Sequence, residues 1–149
     1  MEGESLVILL VEDNPDHTEL IQRIFREHRV ANTIHHVPDG EAALDYLFRR
    51  GDVARADPKK NPRPHVILLD LRLPKVDGLE VLKAIKADED LRRIPVVILT
   101  SSEAEKDLVR AYDYNVNSYL VKPLDFDKFT KLMDDLGFYW LGWNRHPLS

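Results

Sequence analysis

At 149 residues the chain has the size of a single domain, and its net charge of -5 argues against a general affinity for nucleic acid or for anionic membranes. No cysteine is present, which excludes disulfides, thiolate metal sites and thiol nucleophiles and fits a reducing compartment. The first apolar run, Leu6 to Val11, is too short for a signal peptide or a membrane span, so we expect a cytoplasmic protein whose partners are other proteins or small ions.

Five short apolar runs recur along the chain and predict the strands of a sheet. Most of them are leucine-rich or β-branched and lack a strict alternation of apolar and polar residues, as is typical of parallel strands that are covered on both faces. The predicted strands are Leu6 to Val11, Thr33 to Val37, His65 to Asp70, Pro95 to Thr100 and Asn117 to Val121.

Apolar residues at helical spacing predict a helix after each strand. Asn14 and Pro15 indicate where the first helix starts, as its N-cap and its first helical residue. The later helices are expected over Asp39 to Arg50, over Gly78 to Ala87, between the cap Ser102 and Asn115, and from Asp125 to Gly137. The residues expected to face the core are Leu20, Ile21, Ile24, Phe25, Ala42, Ala43, Tyr46, Leu47, Leu79, Leu82, Ile85, Leu108, Val109, Tyr112, Phe126, Phe129, Leu132, Met133 and Leu136.

Two segments fall outside this repeat. The proline-containing stretch from Gly51 to Pro64 is expected to be a long loop, partly polyproline-like. After a domain over residues 1–137, residues 138–149 form an aromatic tail that we interpret as a possible dimer contact.

Strict alternation of strand and helix predicts an α/β fold, a doubly wound five-stranded parallel sheet whose sites lie beyond the carboxyl ends of the strands. Polar residues that could take part in chemistry stand at the carboxyl ends of four of the five predicted strands, whereas the second strand ends without such a residue. These residues are Glu12 with Asp13, Asp70, Thr100, and Lys122 with Pro123.

The three acidic residues converge if the first and third strands are neighbours, as in the sheet order 2-1-3-4-5. Two carboxylates about 4 Å apart repel by roughly 4 kcal/mol at a dielectric constant near 20, so a cation or a shared proton must relieve the repulsion. Oxygen donors without histidine or cysteine favour Mg²⁺, which often completes its shell with phosphate. Asp70 could then act as a nucleophile toward phosphorus and form an acyl phosphate.

Three further groups could bind the transferred phosphoryl group: the Lys122 ammonium, the Thr100 hydroxyl and the Ser101 amide. Pro123 could hold a cis bond that aims Lys122 inward. Taken singly, Asp13 could be a helix cap, Thr100 a strand-end hydroxyl and Lys122 a solvated side chain. Their joint position at strand ends favours a site.

The adjacent pair His35 and His36 could suggest a metal site. Neighbouring residues of a strand point to opposite faces, so we do not expect these two side chains to bind one ion.

The stretches "ILLVEDNP", "VILLDLRLPKVDG", "VVILTSSEA" and "SYLVKPLD" together resemble the receiver domain of two-component response regulators. The resemblance implies a flavodoxin-like receiver fold with Asp70 as the phosphoacceptor and Lys122 as the family's lysine. Glu12 and Asp13 would form the acidic pocket. Mg²⁺, or Mn²⁺ in its place, would be held by Asp13, Asp70 and the main-chain carbonyl of Arg72, with Glu12 acting through a water molecule.

The resemblance also implies a switch pair, Thr100 and Tyr119, in which the hydroxyl moves toward the phosphate and the aromatic ring follows. Such a protein is a phosphoacceptor that promotes its own phosphoryl transfer and dephosphorylation, and it is not an enzyme in the usual sense.

The stretches "VEDNPDHTELIQ", "DGEAALDYL" and "DLRRIPVVILTSSEAEKDL" are similar to stand-alone regulators associated with bacterial and cyanobacterial phytochrome kinases. This similarity implies a single-domain regulator without an output domain, which takes its phosphoryl group from a sensor histidine kinase and signals through a protein contact in a light-sensing pathway. It also implies a homodimer through the side that contains the fourth helix, fifth strand and fifth helix, to which the aromatic tail could add a contact.

Two alternatives belong to other functional classes. One is a phosphate-independent interaction module that keeps the receiver fold without its chemistry. The other is a metal-dependent phosphatase with an aspartyl nucleophile, which would need a second acid where Arg72 stands.

Overall fold

A five-stranded parallel sheet forms the centre of the fold in the computed structural model, which describes residues 6–27, 32–55, 60–100, 107, 109, 118–122, 127–128 and 131. Its strands run in the order β2-β1-β3-β4-β5. They are β1 (Leu6–Val11), β2 (Asn32–Val37), β3 (Val66–Asp70), β4 (Val96–Thr100) and β5 (Ser118–Val121). The predicted α/β class and the predicted strand order are confirmed.

The strand register places the functional strand ends side by side. Val11 at the end of β1 pairs with Leu69 of β3, and the next residue of β3, Asp70, pairs with Leu99 of β4. Thr100 at the end of β4 pairs with the last residue of β5. Because all five strands are parallel, the residues that follow them emerge at one edge of the sheet.

The three longest helices of the described part of the chain are α1 (Pro15–Glu27), α2 (Gly40–Phe48) and α3 (Gly78–Ala87). Asn14 caps α1 as predicted, because its Oδ1 accepts hydrogen bonds from the Asp16 amide at 2.8 Å and the His17 amide at 3.3 Å. The side chain of Asp39 caps α2. That helix ends before the predicted Arg50, because Arg49 adopts a left-handed conformation with φ 56°.

Two short helices were not predicted. A one-turn helix over Asp52–Arg55 lies inside the stretch expected to be a loop, and a 3₁₀ helix over Leu91–Arg93 buries Leu91 after α3. The later part of the loop is tied to α2, where the Tyr46 hydroxyl donates a hydrogen bond to the Pro62 carbonyl oxygen at 2.7 Å.

Apolar clusters cover both faces of the sheet, which explains the continuous apolar runs of β3 and β4. One cluster is built around α1 and contains Ile8, Leu10, Ile21, Ile24, Phe25, Val66, Leu68, Val97, Leu99 and Leu120. The other contains residues of α2 and α3, with Leu9, Val11, Ile67, Leu69, Val96 and Ile98 from the strands.

The helix faces agree with the predicted stripes except in detail. Leu20 and Leu79 are partly buried and pack against the two clusters as expected, whereas Ala42 is partly exposed and belongs to neither cluster. On α3 the unpredicted Val81 is fully buried. The face of α3 that packs on the sheet is therefore centred on Val81, Leu82 and Ile85.

Several predictions lie outside the described residues. They concern most of the fourth and fifth helices, of which Asp107, Val109, Asp127, Lys128 and Lys131 are described as helical. Ser101, Pro123 with its proposed cis bond, and the tail 138–149 also lie outside. Among the helices that are described, none combines the length and the hydropathy that a membrane span requires.

Candidate functional site

Three carboxylates meet at the carboxyl ends of β1 and β3. Glu12 and Asp13 follow β1, Asp70 is the last residue of β3, and these two strands are neighbours in the sheet. One side-chain oxygen of each residue lies within 4.8 Å of the others. Glu12 is fully buried and Asp70 is buried, whereas Asp13 is exposed. The cluster is therefore deep on one side and open to solvent on the other.

Lys122 reaches this cluster from β5. Its Nζ donates hydrogen bonds to Glu12 Oε1 at 2.7 Å and to Asp70 Oδ2 at 3.1 Å. Its backbone amide donates to the Thr100 carbonyl oxygen at 2.7 Å, which fixes the start of the side chain beside the end of β4. Since β4 separates β5 from β3, the long lysine side chain must cross the end of β4 to reach Asp70.

The charges of the cluster are not balanced. Burial raises the pKa of Asp70 to about 6, and the hydrogen bond and charge of Glu12 act in the same direction. The Arg72 amide, which donates to Asp70 Oδ1 at 3.1 Å, and the Lys122 charge offset part of this increase. Burial by itself would lower the pKa of Lys122, but its hydrogen bonds and its attraction to Glu12 and Asp70 outweigh burial and raise it. The cluster thus has three carboxylates for one ammonium, which contacts two of them.

The donor set fits a hard divalent cation. The cluster of Glu12, Asp13 and Asp70 offers carboxylate oxygens, which suit Mg²⁺ or Mn²⁺, and the excess negative charge raises the affinity for a cation. Arg72 lies beside the cluster through the contact of its amide with Asp70, and the role of its carbonyl oxygen stays a prediction.

Thr100 and Tyr119 lie on the same face of the sheet. Tyr119 pairs with Ile98, and the side chain of Thr100 points the same way as that of Ile98 because the two are two residues apart in β4. Thr100 is fully buried, and Tyr119 is partly buried against the cluster that contains α2 and α3. The structure therefore brings the proposed switch residues onto one side of the site.

Two histidines of the site were not predicted. His17, in the first turn of α1, lies with its Nδ1 3.0 Å from Lys122 Nζ. Nothing in the local sequence indicated His17, because its partner Lys122 is 105 positions away.

The Nε2 of His36 lies 2.7 Å from the Glu12 carbonyl oxygen and 3.3 Å from Thr18 Oγ1. The end of β2 was expected to carry no chemically active group, and the contact of His36, one residue before that end, is with the main chain of Glu12.

His35 points away from this site. Its ring contacts Tyr46 of α2 with ring centroids 5.6 Å apart, and burial lowers the pKa of its imidazole.

Comparison with known proteins agrees with this geometry. A family model described as the response regulator receiver domain matches residues 8–134. A probable methanogenesis regulatory protein, FilR2 of Methanothrix harundinacea, is 49% identical over 144 residues, which cover 97% of this chain and 89% of that protein. The response regulator Rcp1 of Synechocystis sp. is 40% identical over 135 residues, 91% of this chain and 88% of that protein.

Solved structures of response regulators are similar as well. The bacteriophytochrome response regulator AtBRR has a TM-score of 0.81 and 48% identity, with 92% of this chain and 96% of that chain covered. The Mn²⁺-bound form of Rcp1 has a TM-score of 0.73 and 39% identity, with 92% and 95% covered. The predicted resemblance is thereby confirmed, and this chain belongs to the response regulator receiver domain family.

Proposed function

We propose that this protein is a single-domain response regulator that accepts a phosphoryl group from a sensor histidine kinase on the carboxylate of Asp70. The observation that carries the proposal is the meeting of Asp70 with Glu12, Asp13 and Lys122 at neighbouring strand ends. A nucleophile, an acidic pocket and a fixed ammonium are the groups that phosphoryl transfer to a carboxylate requires.

The residues around Asp70 orient it for this reaction. The Arg72 amide bonds one carboxylate oxygen and the Lys122 ammonium bonds the other, so both oxygens have defined positions. During transfer a bond forms between a carboxylate oxygen and phosphorus, while the bond between phosphorus and the nitrogen of the donor histidine breaks. Lys122 then pairs with a phosphoryl oxygen, and the Thr100 hydroxyl and Ser101 amide bind another.

Mg²⁺ is the proposed cofactor, and Mn²⁺ could substitute for it. Asp13, Asp70 and the carbonyl oxygen of Arg72 would bind the ion directly, and Glu12 would act through a water molecule. The excess of carboxylates supports this assignment, as does the Mn²⁺-bound form of the relative Rcp1. A bound ion would supply positive charge between the acidic pocket and the phosphoryl oxygens.

We infer that phosphorylation acts on the outer part of the sheet through Thr100 and Tyr119. Movement of the Thr100 hydroxyl toward the phosphoryl group would leave space that the Tyr119 ring fills, with a coupling free energy of about 1 to 3 kcal/mol. The output is then a phosphorylation-dependent contact with another protein. The side that contains β5 is the proposed surface of a homodimer, with the aromatic tail 138–149 as a further contact beyond the receiver domain of residues 1–137.

The proposed kinase is a bacterial phytochrome, which places the protein in a cytoplasmic light-sensing pathway. Support comes from the similarity to the bacteriophytochrome response regulator AtBRR. A second pathway is equally compatible with identity, because FilR2 is as similar and is described as a probable methanogenesis regulator. The two pathways can be distinguished by comparing the rate of phosphotransfer from a purified phytochrome kinase with the rate from a histidine kinase that has no chromophore. Faster transfer from the second kinase would contradict the light-sensing assignment.

The test of the chemistry is the intact mass after incubation with acetyl phosphate and Mg²⁺. We expect one phosphoryl adduct on the wild type and on Asp90→Asn, a control at an exposed carboxylate. We expect no adduct on Asp70→Asn. Phosphorylation of Asp70→Asn would refute the assignment. A wild type that takes no phosphoryl group from acetyl phosphate or from a kinase would favour the phosphate-independent interaction module.

A further inference from the structure

His17 touches the site from the first turn of α1. Its Nδ1 lies 3.0 Å from Lys122 Nζ and 3.5 Å from Glu12 Oε1. The backbone amide of His17 donates to Asn14 Oδ1 at 3.3 Å, so the helix cap fixes where this side chain starts. The side chain is 38% exposed, whereas Glu12 on the opposite side of the ammonium is fully buried. His17 therefore contacts Lys122 from the open side of the site.

The contact with Lys122 determines which nitrogen of the His17 imidazole carries the proton. An ammonium has three protons. Lys122 Nζ donates to Glu12 at 2.7 Å and to Asp70 at 3.1 Å, and His17 Nδ1, at 3.0 Å, is in position to accept the third proton. A protonated ring would instead place two cations 3.0 Å apart, and its donor would face Glu12 at 3.5 Å, which is longer than an ordinary hydrogen bond. The raised pKa of Lys122 keeps the ammonium charged. Nδ1 of His17 is therefore an acceptor, and the ring proton is on Nε2.

The three acceptors differ in what they do to the ammonium. Glu12 and Asp70 are carboxylates that attract Lys122 toward the interior of the site, while His17 holds it toward solvent. A neutral imidazole is a weaker partner for an ammonium than a carboxylate is. A phosphoryl oxygen that arrives from solvent can thus replace the His17 bond at the smallest cost, while Lys122 keeps its bond to Glu12.

We propose that His17 is a positioning residue, which accepts the third hydrogen bond of Lys122 through Nδ1 and holds the ammonium at the open side of the site until a phosphoryl oxygen replaces the ring. This inference rests on the proposed phosphorylation of Asp70. Without the ring, Lys122 settles against the two carboxylates and is less available to the incoming group.

Three variants separate this role from a purely structural one. The Oδ1 atom of His17→Asn can occupy the place of Nδ1, whereas the amide of His17→Gln corresponds to Nε2 and cannot reach Lys122 in the same way. We expect His17→Ala and His17→Gln to be phosphorylated by acetyl phosphate about fivefold more slowly than the wild type, which corresponds to one hydrogen bond of about 1 kcal/mol. His17→Asn should keep a rate within about twofold of the wild type. Equal rates for all three variants, or a rate for His17→Gln as high as for His17→Asn, would overturn the proposal.

A second measurement needs no phosphorylation. The ¹⁵N chemical shifts of the His17 ring, recorded without Mg²⁺ at about pH 8, where an ordinary imidazole is neutral, should show a proton on Nε2. A proton on Nδ1 would refute the proposal whatever the kinetics. If the wild type took no phosphoryl group, the proposed function would fail, while the tautomer would still decide whether His17 accepts from Lys122.

Discussion

Asp70 combines two properties that oppose each other in an ordinary core. It ends a fully buried strand, and it keeps a carboxylate beside the buried carboxylate of Glu12. Burial and Glu12 raise its pKa to about 6 even though Lys122 is 3.1 Å away. A single ammonium therefore does not compensate the two carboxylates, and the site has a cost in stability that serves its chemistry.

This cost predicts a pH-dependent effect of Asp70→Asn. The pKa of Asp70 rises from 3.8 to about 6 on folding, so ionisation opposes folding, and stability is lost as pH rises from about 4 to about 6. The variant has no such loss and should be more stable than the wild type by about 2 kcal/mol at neutral pH, with the difference vanishing near pH 4. Urea denaturation in the presence of a metal chelator, repeated at several pH values, measures the difference in the free energy of unfolding between the two proteins. A difference that grows toward acid pH would contradict this account of Asp70.

The imidazole of His36 supports the acidic pocket by contacting the main chain of Glu12. Its Nε2 lies 2.7 Å from the Glu12 carbonyl oxygen, next to the proposed metal ligand Asp13. We expect His36→Leu to weaken Mn²⁺ binding by about tenfold, because a loss of such supporting bonds misplaces the ligands. Titration followed by electron paramagnetic resonance measures the affinity. Thr33→Ala, at an exposed position of the same strand, is the control, and an equal affinity in His36→Leu would rule out the supporting role.

At the scale of elements, the loop between β3 and α3 determines how Asp70 is presented. Gly78 opens α3 directly against this loop, and its amide donates to the Leu71 carbonyl oxygen at 3.1 Å. A Cβ at position 78 would lie 2.5 Å from the carbonyl oxygen of Asp70 and 2.5 Å from Leu71 Cα. The close approach of α3 to the acceptor therefore requires glycine.

Gly78→Ala should disturb both stability and chemistry. The backbone of Asp70 and Leu71 must move to admit the methyl group, so we expect a loss of about 2 kcal/mol in the free energy of unfolding and slower phosphorylation by acetyl phosphate. Lys83→Ala, at an exposed position of the same helix, should change stability by less than about 0.5 kcal/mol. If Gly78→Ala unfolded at the wild-type urea concentration, the close packing would not be required.

The sequence predicts those features of the fold and of the site that follow from local signals, such as helix caps, and from the alternation of strands and helices. The cap at Asn14 and the convergence of Asp70 with Glu12 are of this kind, because strand ends meet wherever parallel strands are neighbours. The one-turn helix over Asp52–Arg55 was missed in a proline-containing stretch. His17 was missed because its partner, Lys122, is 105 positions away, and a histidine on a helix surface gives no sign of such a contact.

At the scale of the whole molecule, the proposed signal must pass from Asp70 to the edge of the sheet. The path is short, because β4 separates β3 from the edge strand β5 in the described sheet. Thr100 ends β4 and Tyr119 lies in β5 on the same face. A two-state movement of these side chains would alter the surface beside β5, where we propose the protein contact.

Thr100→Ala should separate phosphorylation from this response. Without the hydroxyl, Asp70 is still phosphorylated. The space into which the Tyr119 ring is proposed to move is then no longer opened by movement of a hydroxyl toward the phosphoryl group. We expect NMR signals of the Tyr119 ring to shift on phosphorylation in the wild type and in Thr33→Ala, and to shift by less than about half as much in Thr100→Ala. A full shift in Thr100→Ala would contradict the switch.

Asp70 at the end of β3 is the proposed phosphoacceptor, and the position of the acyl phosphate in the chain shows whether it is. Borohydride reduces an aspartyl phosphate to homoserine with release of phosphate, and peptide mass spectrometry locates the changed residue. After treatment with acetyl phosphate and Mg²⁺, we expect homoserine at position 70 and aspartate at positions 13 and 90. Homoserine at Asp13, or none at position 70 in a protein that carries the phosphoryl adduct, would contradict the account.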